Sequence, residues 1–366
     1  TGVQTCALPI FLRIGHVGDS RAYLSRGGVL KRITEDHSVE NEIRRRRALG
    51  EMVPYRESQR NALTRCLGQP TPLEVDVFTE TLFAGNPAGV VLGAEILTEA
   101  EMQALARELN NSDSAFVLPP TAPNHDVVLR FFTPKHEAGF VGHATVAAHV
   151  ARLAAGLAGT GTLRQKSRSG IQAVTVSGTA ENPHVAVTIP PPSCLPPISD
   201  EQKGELLDIF GIDTAALDPK CPILVTKRAT TRLMIGLRST DLLASLEPDL
   251  EALKRLTPHV GADGYLLFVR DAHGPGTFEA RLFSPVLGIA EDPVSGNAHG
   301  MLGAYLVTHG LVTAQDGKVL LRGHQGSSMD RPGVVDIEVS VADGQPTQIV
   351  ISGTARVVFT TEIVLP

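Results

Sequence analysis

The sequence is short of the features by which many enzyme classes announce themselves. Its 366 residues hold four cysteines, Cys6, Cys66, Cys194 and Cys221, widely separated and never as CxxC. That spacing argues against a disulfide scaffold or a cysteine-held zinc, and points to a reducing cytoplasm. No run reaches the roughly 18 apolar residues of a membrane helix, so no membrane partner is expected. Positive charge is in deficit: the net charge is −6, which argues against nucleic acid as a partner. There is no Gly-x-Gly-x-x-Gly after a strand, no Walker loop and no Gly-x-Ser-x-Gly elbow, and His136-Glu137 does not extend to His-Glu-x-x-His.

What is present is ordinary globular material, 42% apolar and 20% charged, with mean hydropathy +0.05. At about 150 residues per domain the length predicts two domains with roughly 60 residues over. The charge is split unevenly. Up to Thr71 there are 12 Lys+Arg and 7 Asp+Glu, a net of +5, and the remaining 295 residues carry 21 and 32, a net of −11. Such a break suggests two origins for the chain.

The first part has its own character. Residues 1–10, TGVQTCALPI, resemble the translation of a sequencing-library adapter, and a scar without a selected fold is expected there. Residues 11–71 read as a β-rich fragment. Strands are expected at 11–17, 21–25 and 29–33, with a Gly27-Gly28 hairpin turn and a helix over 39–49. The pieces HVGDSRAYL, LKRITEDHS and RNALTRCLG, in that order, resemble the middle of a type 2C metal-dependent serine/threonine phosphatase. That chemistry needs two divalent metals held by aspartates. The family's early Asp-Gly-His-Gly segment and its later Ser-Asp-Gly and Asp-Asn segments are missing, so neither phosphatase activity nor a metal is expected. Asp19 reads as a turn former and residues 44–47, all Arg, as a solvated helix face.

From Pro72 onward the chain repeats itself. Arg130-Phe131-Phe132-Thr133-Pro134 returns 151 residues later as Arg281-Leu282-Phe283-Ser284-Pro285. Each copy leads to a Gly-rich turn, Val141-Gly142-His143-Ala144 and Ser295-Gly296-Asn297-Ala298. Each turn opens an Ala-rich apolar helix, expected at 145–157 and 298–309. A helix apolar on every side must be buried. Alternation predicts strands at 73–78, 127–132, 173–176, 185–189, 265–269, 335–341 and 347–351. Thr98 and Glu101 form a capping box for a helix over Glu99–Leu109. The reading is α+β: two similar domains at 72–190 and 201–366, joined by a Pro-rich linker at 191–200. Each would be a mixed sheet around a central apolar helix.

A Gly-rich turn ahead of a helix aims free N–H groups at whatever lies before it, and binds carboxylate or an oxyanion. Two such turns across a cleft would grip a small anion from both sides, though the glycines could serve tight packing instead. The titratable residues nearby are Asp113, His143, Glu291 and Asp292. A carboxylate in an apolar cleft has its pKa raised and can take and return protons near neutrality without a cofactor. Turn or capping roles for Asp113 and Asp292, and a core role for His143, are the structural alternatives.

Five ordered motifs carry a wider resemblance. They are VDVFT…FAGNPAGVV, NNSDSAFV, FFTPKHEAGFVGHATVAAHV, FSPVLGIAEDPVSGNAHGMLGAYL and HQGSSMDRPG…ISGTARVV. Over about 290 residues the chain resembles the PhzF, or phenazine-biosynthesis-like, isomerases, which have the two-domain diaminopimelate-epimerase fold. The resemblance implies catalytic roles for Asp113, His143 and Asp292. It implies a substrate-carboxylate grip by Gly142, Ala144, Ser295, Gly296 and Asn297. Asp113 stands where the family usually has glutamate, and its reach is roughly 1.5 Å shorter. The epimerase branch of the fold places one Cys in each turn; here those turns hold His143 and Asn297, so two-thiol racemisation is not expected. The expectation is a cofactor-independent isomerase of a small carboxylate metabolite, with a homodimer compatible with the family's habit of pairing. A non-catalytic metabolite-binding protein on the same fold is the alternative.

Overall fold

The computed structural model describes Tyr23–Arg26, Val29–Arg32, Arg44 and residues 70–361. The chain divides into two compact units, Thr1–Gln69 and Pro70–Pro366. In the first, Tyr23–Arg26 pairs antiparallel with Val29–Arg32, the hairpin expected around Gly27-Gly28. The strand expected at 11–17 and the helix at 39–49 lie outside the described residues.

In the second unit the repeat becomes a doubled sheet. One half orders its strands as Ala355–Thr360, Thr71–Val77, Asn86–Leu92, Ser114–Leu118, Val127–Phe132, Gly161–Ser167, Gly170–Gly178 and Pro183–Ile189. The other runs Ser193–Pro197, Leu224–Lys227, Thr231–Leu237, Gly264–Arg270, Thr277–Ser284, Lys318–Gln325, Gly333–Ala342 and Gln345–Gly353. Both follow the same sequence of pairings: two antiparallel, one parallel, one antiparallel, one parallel, two antiparallel. The last strands of the two halves, Pro183–Ile189 and Gln345–Gly353, then pair with each other.

Two details differ from a simple head-to-tail repeat. Ser193–Pro197, inside the Pro-rich stretch, is an edge strand, where proline's missing N–H does no harm. The equivalent edge strand of the first half is supplied by the C-terminus, Ala355–Thr360.

The central helices are Gly142–Ala154 and Gly296–Thr308, buried along nearly their whole length. They share one continuous core with the inner sheet faces. The peripheral helix Glu99–Leu109 carries the expected capping box and covers a smaller cluster around Met102 and Phe116. Helices Asp200–Phe210 and Leu250–Val260 cover a third cluster. Among the described residues no helix is long and apolar enough to cross a membrane.

Both central helices begin earlier than expected, on the glycines themselves. A Cβ on Gly296 would lie 2.7 Å from Phe78 Cζ and 3.2 Å from Ile351 Cδ1. Gly296→Ala is therefore expected to cost about 1–3 kcal/mol by overpacking, read as a lower urea midpoint at unchanged slope.

The repeat is chemical as well as topological. Arg130 makes a two-pronged ion pair with Glu137 and lies 5.1 Å over the Phe132 ring. Arg281 does the same with Glu291 and, at 4.9 Å, with Phe283. Glu291, a candidate on sequence grounds, is thus occupied in holding a hairpin.

Candidate active site

The starts of the two central helices meet. A Cβ on Gly142 would lie 3.8 Å from the Asn297 amide nitrogen. A helix cannot satisfy its own first N–H groups. Val141 provides no side-chain cap, so the N–H groups of Gly142, His143 and Ala144 face this junction uncapped. Opposite, the Ser295 hydroxyl accepts only from the Ala298 N–H, at 3.4 Å, which leaves those of Gly296 and Asn297. Both positive helix ends therefore converge on one spot.

Asp113 reaches this junction from the loop after Glu99–Leu109. That helix ends at Asn110 in the left-handed region, φ 55°, a conformation asparagine tolerates. Asn111 donates to Glu74 at 2.7 Å and anchors the loop to the first strand. Strand Ser114–Leu118 then begins at once. The Asp113 side chain is 14% exposed, and its Oδ2 lies 3.9 Å from His143 Nε2. Burial, reinforced by the negative charge of Asp292, pushes its carboxyl up to about 7. Burial pushes the His143 imidazole down to about 4, so it is neutral at pH 7. Its Nε2 has no hydrogen-bond partner among the described residues. At 3.9 Å the two groups are too far apart to bond each other, yet close enough to touch one substrate atom between them.

Asp292 is held on the opposite side. Asn86 donates to its Oδ1 at 2.8 Å and to the Val294 carbonyl at 2.8 Å. Gln325 donates to the Asp292 carbonyl at 2.5 Å and accepts from the Ser295 N–H at 3.2 Å. Burial raises the Asp292 carboxyl to about 6, against the pull of Arg232 and of Asn86.

Sequence reading missed four residues here. Asn86 and Gln325 stand inside quoted motifs, FAGNPAGVV and HQG, yet neither titrates and neither was singled out. Arg232 and Arg228 give no local signal. Arg232 is buried, its Nε is unpartnered among the described residues, and its charge interacts with Asp292. Arg228 donates to Asn297 Oδ1 at 2.8 Å, while Asn297 Nδ2 donates to Thr230 at 3.1 Å. The Asn297 side chain is thereby committed, and only its N–H remains for a ligand. An acidic chain has nonetheless placed two guanidinium groups beside its second turn.

The strand registers make the asymmetry of the site explicit. Asp113 corresponds to Gly264 in the other half, Ala138 to Asp292, and His143 to Asn297. The repeat supplies the frame and the two anion-facing helix ends. The proton-bearing groups occur once each.

Known proteins share this frame. The structure superposes on the Bacillus anthracis phenazine biosynthesis protein of the PhzF family with a TM-score of 0.73 at 26% identity, covering 81% of this chain and 99% of that one. The fold is that of the two-half, epimerase-like isomerases, and the protein is an isomerase. The profile of the phenazine biosynthesis-like proteins, PhzC-PhzF, matches residues 75–361, and the chain belongs to that family. It is 38% identical over 295 residues to "Uncharacterized isomerase YddE" of Escherichia coli (strain K12), across 80% of this chain and 98% of that protein. It is 29% identical over 287 residues to the trans-2,3-dihydro-3-hydroxyanthranilate isomerase of Pseudomonas fluorescens, across 76% of this chain and 94% of that one.

A protein phosphatase 2C profile matches residues 3–118. It runs past the fragment expected at 11–71 and overlaps strands that pair within the first isomerase half. YddE is matched over 98% of its length by 80% of this chain. A chain beginning at Pro70 is therefore expected to keep the melting temperature and the activity of the full chain. Loss of either on trimming would assign a supporting role to Thr1–Gln69.

Proposed function

We propose that the protein is a cofactor-independent isomerase that moves a proton between two carbons of a small carboxylate-bearing metabolite, a cyclic amino acid by expectation. The observation that carries this reading is the convergence of Asp113, His143 and Asp292 where the two helix starts meet. The uncapped N–H groups of both turns would hold the substrate carboxylate. Near neutrality Asp113 is divided between its two forms, so it can act first as base and then as acid. As carboxylate it takes a proton from one carbon, the bonding pair moves through the adjacent double bond, and the resulting acid returns that proton to a distant carbon. Substrate and product have the same formula, so no external oxidant or reductant is needed. Neutral His143 donates or accepts a hydrogen bond at the same atom. Asp292, with Arg232 behind it, sets how tightly Asp113 holds its proton.

The test is incubation of the protein with candidate cyclic amino acids in deuterated water. Solvent label is expected at carbon in the product, at a rate that follows enzyme concentration. Absence of label from every candidate that stabilises the protein against heat would remove the proton-transfer role and leave a binding protein.

A further inference from the structure

On the other face of the strand that carries Gln325, three side chains that the isomerisation does not use lie together. His273, Glu279 and His324 each present a ligand atom, and these atoms all lie within 4.8 Å of one another. We propose that they form a binding site for a divalent transition ion, with zinc the best match, leaving a fourth position open to water.

The donor set fits that chemistry. Two imidazoles and one carboxylate are the ligands of an open zinc site, with bonds of about 2.0–2.2 Å. Such bonds put neighbouring ligand atoms about 3.4 Å apart. His273 Nε2 and Glu279 Oε2 are already 2.7 Å apart, and the His273 and His324 rings are 4.2 Å apart, centroid to centroid. An ion would open the first contact and close the second, each by about an ångström. The His273 side chain, 48% exposed, is free to make that adjustment.

The backbone is built to hold the three in place. Glu279 and His324 are register partners on adjacent parallel strands. His273 sits at the tip of a connection pinned at both ends. Asp271 N–H donates to the Thr277 carbonyl at 2.7 Å, Gly276 N–H to Asp271 Oδ1 at 3.0 Å, and His273 N–H to the Thr277 hydroxyl at 2.9 Å. Asp271, Gly274 and Gly276 all take positive φ, which makes this tight path possible. The Ser327 hydroxyl donates to Glu279 Oε1 at 3.3 Å and orients the carboxylate from outside the ligand set, as outer partners of metal sites do. A simple surface ion pair would need none of this. It also leaves unexplained a second imidazole stacked where only one carboxylate is available.

Titration of Zn²⁺ into the full chain, followed by calorimetry, tests the site. Wild type is expected to bind one more equivalent than His273→Ala or Glu279→Gln, or to bind it about a hundredfold more tightly. Both variants should keep the wild-type circular dichroism and, without metal, the wild-type melting temperature. A hundredfold excess of Zn²⁺ over its dissociation constant should raise the wild-type melting temperature by roughly 5 °C and that of His273→Ala by clearly less. Mg²⁺, a hard ion preferring oxygen ligands, should do neither. Equal zinc binding by wild type and the two variants, or no wild-type binding below about 10 µM, would overturn the proposal.

Discussion

Asp113→Asn is expected to lower turnover about a thousandfold and, at the same time, to stabilise the folded protein at alkaline pH. The kinetic loss follows from removing the only group proposed to carry the proton, since a positioned acid or base contributes roughly 10²–10⁴ in rate. The stability gain follows from linkage. The Asp113 carboxyl ionises at about 7 in the fold against 3.8 for the free side chain. Between those values the folded chain holds a proton the unfolded chain has released. Its contribution to stability is therefore fully present below about pH 4 and is lost as the pH rises through 7. Asparagine cannot ionise and does not incur this cost. Relative to wild type, the variant should gain little at pH 4 and on the order of 3 kcal/mol by pH 8, measured by urea denaturation across that range. A variant equally active, or one with no pH-dependent gain, would show that Asp113 is neither the proton carrier nor ionised at a cost. Asp113→Glu moves the carboxylate roughly 1.5 Å further out and should keep the pH-dependent cost. It should lower the rate about a hundredfold through misplacement alone.

Arg331→Ala is expected to cost about 3–5 kcal/mol, more than any other single change away from the site considered above. The guanidinium donates to Asp76 Oδ1 at 2.5 Å and to the Gly85 and Ala84 carbonyls at 2.9 and 3.2 Å. Asp76 is 2% exposed, and its other oxygen accepts from the Phe83 N–H at 2.6 Å. Removing Arg331 strands a buried carboxylate and frees the turn between Thr71–Val77 and Asn86–Leu92. That turn ends at Asn86, which grips Asp292, so the damage should reach the site as well as the melting curve. Asp76→Asn combined with Arg331→Ala should be less destabilised than the sum of the two single changes, because the stranded charge is gone. Strict additivity in a double-mutant cycle would rule out this coupling.

These residues also show how far the sequence could be read. The central helices are legible because burial on all sides leaves an unbroken apolar composition. The repeat is legible because Arg130 and Arg281 each need the same acidic partner and the same ring. Asp113, His143 and Asp292 stand out as titratable groups beside Gly-rich turns, and a resemblance sharpens them. Arg331 and Asp76 are 255 residues apart, and no local pattern links them. Arg232 is equally silent: its place depends on strand register, which sets it opposite Gly264, where a Cβ would lie 3.0 Å from Arg232 Cδ. Net charge misleads for the same reason, since it counts guanidinium groups without saying where they gather. The Pro-rich segment reads as a connection by composition, and only the pairing of Ser193–Pro197 with Leu224–Lys227 reveals an edge strand.

The borrowed edge strand has a consequence for how the protein is made. A ribosome delivers the chain from its beginning, yet Thr71–Val77 must wait for Ala355–Thr360 before its outer edge is covered. By then the later half, Ser193–Gly353, has all its own strands outside the exit tunnel. The half synthesised second is thus the first that can be finished. Until release, the older half presents an unpaired strand to whatever is nearby, a hazard for edge-to-edge aggregation. Stalling synthesis a few residues short should leave a nascent chain whose early half is open to protease while its late half resists.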